Sequence, residues 1–136
     1  MPKSLLRKLN LWTPPIVWAL IIFYLSSMAL PAASDFYWKD FVFKKSAHVF
    51  FYGMLAVLTY RALIGEAVSK KKALFLSFFV ALIYGASDEI HQSFTPGREP
   101  RVRDVFFDGG GAMLAMFLLN KLDLKYKKLL SHFGLY

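Results

Sequence analysis

Four apolar segments constrain the fold of this chain more than any other feature of its sequence. Each is close to the roughly 20 residues that an α-helix needs to cross a bilayer. The composition agrees, because 57% of the residues are hydrophobic and only 19% are charged; an average soluble domain has about 25% charged residues. The sequence therefore predicts an all-α, polytopic membrane protein in one domain, 1–136. We place its transmembrane helices at about 12–30, 45–64, 73–94 and 104–119.

The first apolar segment differs from a signal peptide in its length. Lys3, Arg7 and Lys8 precede it, as basic residues precede the apolar region of a secretory signal. Its apolar run, 12–30, is longer than the roughly 7–15 residues of such a region and closer to the length of a membrane span. We therefore expect an uncleaved first transmembrane helix.

The distribution of basic residues predicts the orientation of the helices. Basic clusters lie before the first helix, at Lys70–Lys72 between the second and third, and after the fourth. Because loops rich in Lys and Arg stay on the cytoplasmic side, both chain termini are predicted to be cytoplasmic. The loops at 31–43 and 95–103 are then extracytoplasmic. The second of these contains three arginines, which the same rule disfavours there, so we expect them to have a function.

After the fourth segment, basic and apolar residues are interspersed. Lysines stand beside leucines through 121–136, which predicts a C-terminal basic amphipathic helix on the membrane surface. The net charge of +8 therefore points to anionic lipid headgroups as partners. We find no zinc-finger, RRM or KH pattern and expect no nucleic-acid partner. The chain has no cysteine, which excludes disulfides and thiol catalysis.

The stretch from Asp88 to Gly111 holds most of the polar chemistry of the chain. In the predicted orientation the second helix begins, the third ends and the fourth begins at the outer interface, so their polar side chains meet there. We assign catalytic roles to His48, Asp88, Glu89 and Asp108. We assign ligand- or phosphate-binding roles to Lys45, Tyr52, Gln92, Arg98 and Asp104.

Each of these residues also fits a structural role. His48 suits a general base or a donor to an anion, but it equally suits a partner that satisfies a buried carboxylate. Asp88 and Glu89 suit acid–base chemistry or cation binding, or one of them holds the loop by pairing with Arg98. Asp104 is a good N-cap for the fourth helix. The carboxylates and imidazoles include enough ligands for a divalent metal, but their spacing does not specify one.

Two local motifs support this arrangement. Thr95-Pro96-Gly97-Arg98 has the residues of a type II turn, which would fold the loop back and aim Arg98 at the carboxylates. Gly111 and Ala115 form a small-xxx-small pair, which allows close packing between membrane helices.

The polar motifs resemble those of the VanZ-like family. The resemblance covers most of the chain and is carried by Lys45, His48, the run Asp88-Glu89-Ile90-His91-Gln92, the turn Pro96-Gly97-Arg98, Asp104, Asp108 and Gly111. At position 108 many members carry Asn, so the Asp here adds a charge. The resemblance implies a small bacterial protein of the cytoplasmic membrane. It also implies an association with low-level resistance to teicoplanin, a glycopeptide antibiotic that carries a lipid tail.

Two functional hypotheses follow. In the first, the outer polar pocket handles an anionic lipid or a polyprenyl-phosphate-linked cell-envelope substrate, with Arg98 and Lys45 taking the phosphate charge. It would then be a binding protein or an enzyme, namely a lipid-phosphate hydrolase or headgroup transferase. In the second, the cluster only locks the loop over the helix ends, and the protein acts by contacting a partner or the antibiotic.

Overall fold

The computed structural model describes residues 3–28, 36–96, 98 and 101–135, without the side chains of residues 3 and 123–130. These residues form four α-helices, α1 (Lys3–Ser26), α2 (Tyr37–Gly65), α3 (Lys70–Gln92) and α4 (Val102–His132). Each of the four is long and apolar enough to cross a membrane. No strand occurs in the described part of the chain. The prediction of an all-α, multi-pass membrane protein is confirmed.

The first two helices begin earlier than the sequence predicted. α1 starts at Lys3 because the residues before the apolar run are themselves good helix formers. α2 starts at Tyr37, so the second half of the predicted loop 31–43 is helical. Neither Gly nor Pro interrupts this stretch, and Asp40 pairs with Lys44 one turn later at 2.8 Å, a spacing that supports a helix.

The C-terminal tail is helical, but it is not a separate element. α4 continues from Val102 through His132, so the residues after 119 extend the fourth helix. Neither Gly nor Pro occurs between Gly111 and Gly134, and nothing in the backbone therefore stops the helix. Gly134 follows its end with φ of 69°, a left-handed conformation that glycine adopts without strain. The predicted contact of this tail with the membrane surface stays a prediction.

Small residues allow α2 and α4 to approach closely. A Cβ atom on Gly111 would overlap the backbone of Val49, and one on Gly53 would lie 3.1 Å from the carbonyl oxygen of Gly111. Ala115, one turn after Gly111, faces Gly53 as well. The predicted small-residue pair of α4 therefore packs against α2.

Polar contacts define the two ends of the bundle. At one end Arg7 donates to the carbonyl of Gly65 at 2.5 Å, joining the start of α1 to the end of α2. At the other end Ser27 and His91 are hydrogen-bonded at 3.0 Å, joining the end of α1 to the end of α3. The start of α2 and the start of α4 lie at this second end, which we call the polar end.

Large apolar side chains point away from the bundle along its helices. Leu20 of α1 is 61% exposed, Ile83 of α3 is 65% exposed and Met113 of α4 is 62% exposed. A soluble monomer rarely exposes apolar surface on this scale. These faces are therefore suited to contact with lipid acyl chains.

Candidate functional site at the polar end

Two ion pairs connect α2 to α4 at the polar end. Lys45 Nζ lies 2.5 Å from Asp104 Oδ1, and His48 Nδ1 lies 2.8 Å from Asp108 Oδ1. Lys45 and His48 are three residues apart on α2, and Asp104 and Asp108 are four apart on α4. The two residues of each helix therefore lie on one face of it. The Asp108 side chain is fully buried and that of Asp104 is 9% exposed. A buried carboxylate in a membrane protein is costly unless paired, so each pair offsets the cost of burying its Asp.

Asp104 is not the N-cap that its position suggested. It is the third residue of α4, inside the first turn, and its carboxylate is directed to Lys45. A negative charge in the first turn is still favourable for the helix dipole.

Tyr52 packs behind the imidazole of His48. The two rings are stacked, with centroids 6.2 Å apart and an interplanar angle of 12°, as expected for residues one helical turn apart. Tyr52 is only 2% exposed. Its hydroxyl has no hydrogen-bond partner among the described residues. Tyr52 therefore restricts the orientation of His48 from one side while Asp108 fixes it from another.

Two carboxylates of α3 reach the same layer with different partners. Gln92 donates from Nε2 to Asp88 Oδ2 at 2.9 Å. The backbone amide of Arg101 donates to Glu89 Oε2 at 2.8 Å, which attaches the start of α4 to α3. Asp88 is 6% exposed and Glu89 is 7% exposed. Within the described part of the chain, Glu89 Oε1 and Asp108 Oδ2 have no hydrogen-bond partner.

Gly85 makes room for Asp108 between α3 and α4. A Cβ atom on Gly85 would lie 2.8 Å from Asp108 Oδ2 and 2.9 Å from Asp108 Cβ. Any larger residue would therefore displace the Asp108 side chain from its position beside His48. The sequence did not single out Gly85 for this role, since its neighbour in space is distant along the chain.

Arg98 contacts a helix end instead of the predicted carboxylates. Its guanidinium donates to the carbonyl oxygen of Leu25 at 2.6 Å, and no ion pair to Asp88 or Glu89 forms among the described residues. Leu25 lies in the last turn of α1, where carbonyl groups lack intrahelical partners and cations are favoured. The amide of Arg98 also donates to the carbonyl of Thr95 at 3.1 Å, as in the predicted turn. Gly97, the third residue of that turn, lies outside the described residues.

A cavity of about 330 Å³ lies at the polar end. Part of its wall is apolar and comes from Ile22 and Leu25 of α1 and from Phe41 and Phe51 of α2. Among the described residues, the charged side chains that line it are five cations, Lys44, Lys45, Arg98, Arg101 and Arg103, and three carboxylates, Asp40, Asp88 and Asp104. The described part of the lining therefore has an excess of two positive charges. A mixed apolar and cationic wall is suited to an anion attached to hydrocarbon.

His48 supplies the polar end with a group that can transfer protons. It lines the cavity, and its Nδ1 atom is engaged by Asp108. When Nδ1 donates its proton to the carboxylate, Nε2 is left as an acceptor, which is the arrangement of a general base. The same pair also satisfies the buried Asp108, so the geometry serves both of the roles considered for His48.

All nine predicted site residues lie at or next to the polar end. Seven of them line the cavity, namely Lys45, His48, Tyr52, Asp88, Gln92, Arg98 and Asp104. Glu89 and Asp108 lie outside that lining. His91, which faces the other side of α3, bonds to Ser27 and packs against Phe23 at 4.4 Å between centroids.

The sequence missed the part of the cavity formed by the first turns of α2. Tyr37, Asp40, Phe41 and Lys44 line it, but most of this stretch was predicted to be loop. The pairing of Asp40 with Lys44 at helical spacing was the available signal.

Comparison with known proteins places the chain in context. A sequence model of the VanZ/LLP1 family matches residues 7–123, which include every residue of the site described above. No curated protein and no solved structure gives a significant match.

Proposed function

This chain belongs to the VanZ/LLP1 family, and we propose that its cavity binds the phosphate headgroup of a membrane lipid or of a polyprenyl-linked cell-envelope precursor. The observation that carries the proposal is the excess of two positive charges in a cavity with a partly apolar wall. A soluble anion would gain nothing from Ile22, Leu25 and Phe51. A lipid phosphate uses both parts of the wall, since its charge meets the cations and its first methylene groups meet the apolar side chains.

The proposed location is the extracytoplasmic face of the bacterial cytoplasmic membrane. It is supported by the basic residues Lys70–Lys72, which begin α3 directly after its connection to α2, at the end opposite the cavity. Loops of this kind are retained in the cytoplasm, which puts the polar end on the other side. A lipid-handling site there also agrees with the association of VanZ-like proteins with resistance to teicoplanin, because that antibiotic acts outside the cell and carries a lipid tail.

Binding can be tested on the full chain reconstituted in nanodiscs. Undecaprenyl phosphate and phosphatidylglycerol are the charged probes, and undecaprenol and phosphatidylcholine are their counterparts without net charge. We expect the charged probes to bind more tightly, with an affinity that falls as salt increases. Equal binding of charged and uncharged probes would refute the proposal.

Two exposed cations at the cavity allow a variant test that leaves the core intact. The Lys44 side chain is 37% exposed and that of Arg103 is 44% exposed. Replacing either with Gln should weaken binding by about 1.4- to fivefold, the effect of an exposed charge pair worth about 0.2–1 kcal/mol. Lys121→Gln is the matched control, since Lys121 is exposed on the far part of α4 beside Phe117.

A catalytic version of this function is favoured by the bond of His48 to Asp108. In a hydrolase, His48 would take a proton from the water that attacks the phosphorus. It would then return the proton to the lipid oxygen as the P–O bond breaks, which gives inorganic phosphate and the lipid alcohol. Release of phosphate by the wild type but not by His48→Gln, with lipid binding retained, would establish it. Absence of release from every phosphorylated probe leaves the cavity as a binding site alone.

The competing function is structural, and two hydrogen bonds favour it. Arg98 and the amide of Arg101 attach the segment before α4 to α1 and α3. If this is the whole role of the cluster, Arg98→Gln should lower the melting temperature while lipid binding by the wild type stays nonspecific. A substitution at Lys44 would then change neither property.

A further inference from the structure

Three potential metal ligands from three helices converge beside the cavity. His48 of α2, Glu89 of α3 and Asp108 of α4 each offer one nitrogen or oxygen ligand atom, and these atoms all lie within 4.8 Å of one another. Convergence from separate helices means that the group is held by tertiary packing and not by one local motif. By itself, such a group is also consistent with hydrogen bonding alone.

The second observation is that two oxygens of this group are buried and unused. Glu89 Oε1 and Asp108 Oδ2 have no hydrogen-bond partner among the described residues, and the two residues are 7% and 0% exposed. A buried polar atom without a partner loses its bonds to water and gains none in return, and the cost is greater when the atom is charged. Asp108 Oδ2 faces the backbone at Gly85, one turn before Glu89 on α3. The unused oxygen of Asp108 is thus directed toward α3.

The pairing of the buried carboxylates points in the same direction. Four carboxylates are buried there, Asp88, Glu89, Asp104 and Asp108. Lys45 is committed to Asp104, and the guanidinium of Arg98 is bonded to the carbonyl of Leu25. The carboxylates of Glu89 and Asp108 are left to share the imidazole of His48 and one backbone amide. Two negative charges in a low-dielectric layer favour a doubly charged cation.

The geometry points to a divalent metal site formed by His48, Glu89 and Asp108. One imidazole and two carboxylates suit first-row ions such as Mn²⁺ or Zn²⁺. Three protein ligands leave further coordination positions for water or substrate, as in catalytic sites. His48 Nδ1 shares a proton with Asp108 across a 2.8 Å contact. If Nδ1 becomes a metal ligand, binding of the metal would release that proton.

A consequence for the cavity rests on the lipid-phosphate function proposed above. Glu89 and Asp108 lie outside the lining, and their two negative charges equal its excess of two positive charges. A divalent cation would neutralise them and leave the cavity attractive to an anion. Adding EDTA should then weaken the binding of undecaprenyl phosphate. If metal binds but the affinity for undecaprenyl phosphate does not change on adding EDTA, the effect of the metal on lipid binding is refuted, while the metal site itself is not.

The site itself is tested with metal alone, without any lipid probe. The full chain in detergent is treated with EDTA, desalted and titrated with MnCl₂, and free Mn²⁺ is measured by electron paramagnetic resonance. We expect saturable binding of one ion per chain. Glu89→Gln and Asp108→Asn should each weaken it at least ~10-fold, since even changes to groups behind the ligands cost 10–100-fold. Asp88→Asn is the matched control, as it removes a neighbouring carboxylate of α3 with similar burial.

The wild type provides a second measurement that does not depend on whether the variants fold. Electron spin-echo modulation of the bound Mn²⁺ should show coupling to a ¹⁴N nucleus, which only the imidazole of the proposed ligands supplies. No saturable binding, or binding without nitrogen coupling, overturns the proposal. Unchanged affinity in folded Glu89→Gln and Asp108→Asn overturns it as well, because the ion is then bound elsewhere.

Discussion

Gly85→Ala is expected to destabilise the protein although alanine is the better helix former. The added methyl group would lie 2.8 Å from Asp108 Oδ2 and 2.9 Å from Asp108 Cβ, where non-bonded carbon atoms normally stay about 3.5–4.0 Å apart. Asp108 can move away only by giving up its 2.8 Å bond to His48. The strain costs about 1–3 kcal/mol and the charge-assisted bond about 1.5–3 kcal/mol, while helix propensity returns about 1 kcal/mol. The expected net loss is about 1.5–5 kcal/mol.

Gly110→Ala is the matched control for this substitution. It lies inside α4, and no atom comes within 4 Å of a Cβ built on it. The added methyl group meets no other atom, so Gly110→Ala changes only the helix propensity. The free energy of unfolding of this variant should be unchanged or higher by up to about 1 kcal/mol. Both variants can be compared by reversible unfolding in SDS-containing mixed micelles, followed by circular dichroism. If Gly85→Ala is as stable as Gly110→Ala, the close contact with Asp108 does not determine stability and the reasoning is refuted.

Three further predictions concern the contacts around the polar end. Lys45→Met should cost up to about 3–5 kcal/mol, because it leaves the buried carboxylate of Asp104 with only the half-exposed Arg103 at 4.0 Å; the double variant with Asp104→Leu should recover most of that loss, and additive losses would contradict the pairing. Tyr84→Phe should cost about 1 kcal/mol through the lost 2.7 Å bond to an α1 carbonyl. Tyr52→Phe should cost less than Tyr84→Phe, since the Tyr52 hydroxyl approaches the carboxylate of Asp88 but forms no well-aligned hydrogen bond among the described residues; equal effects of the two Tyr substitutions would contradict this. Gly111→Ala should destabilise the protein more than any other single Gly→Ala change on α4, since its methyl group would meet rigid backbone of α2. Thermal unfolding in detergent measures the loss of stability.

The carboxylates of the polar end differ in how completely they are paired. Lys45 with Asp104 accounts for one carboxylate, and Gln92 accounts for one oxygen of Asp88. Glu89 and Asp108 are less completely bonded, because each has one buried oxygen without a hydrogen-bond partner in the described part of the chain. Natural proteins rarely retain such atoms unless they are used. This imbalance is the physical basis for the metal site proposed above.

Much of the fold could be predicted because it depends on patterns that are local in the chain. Four apolar segments of membrane length predicted four spanning helices, and the positions of Lys45, His48, Asp104 and Asp108 near helix starts predicted that they would meet. Helix ends were less predictable. Tyr37 became the start of α2 because nothing between it and the apolar run stops a helix, and hydropathy does not detect that property.

The class of the protein and the layer in which its polar residues lie follow from the sequence alone, because hydropathy and helical period act between neighbours in the chain. Which charges are paired depends on the tertiary structure. Arg98 bonds to the end of α1 and not to a carboxylate, and Gly85 admits Asp108, because these contacts depend on how close the helices lie. That distance is set by packing across the bundle, between residues far apart in sequence. The cavity and its excess of positive charge arise in the same way.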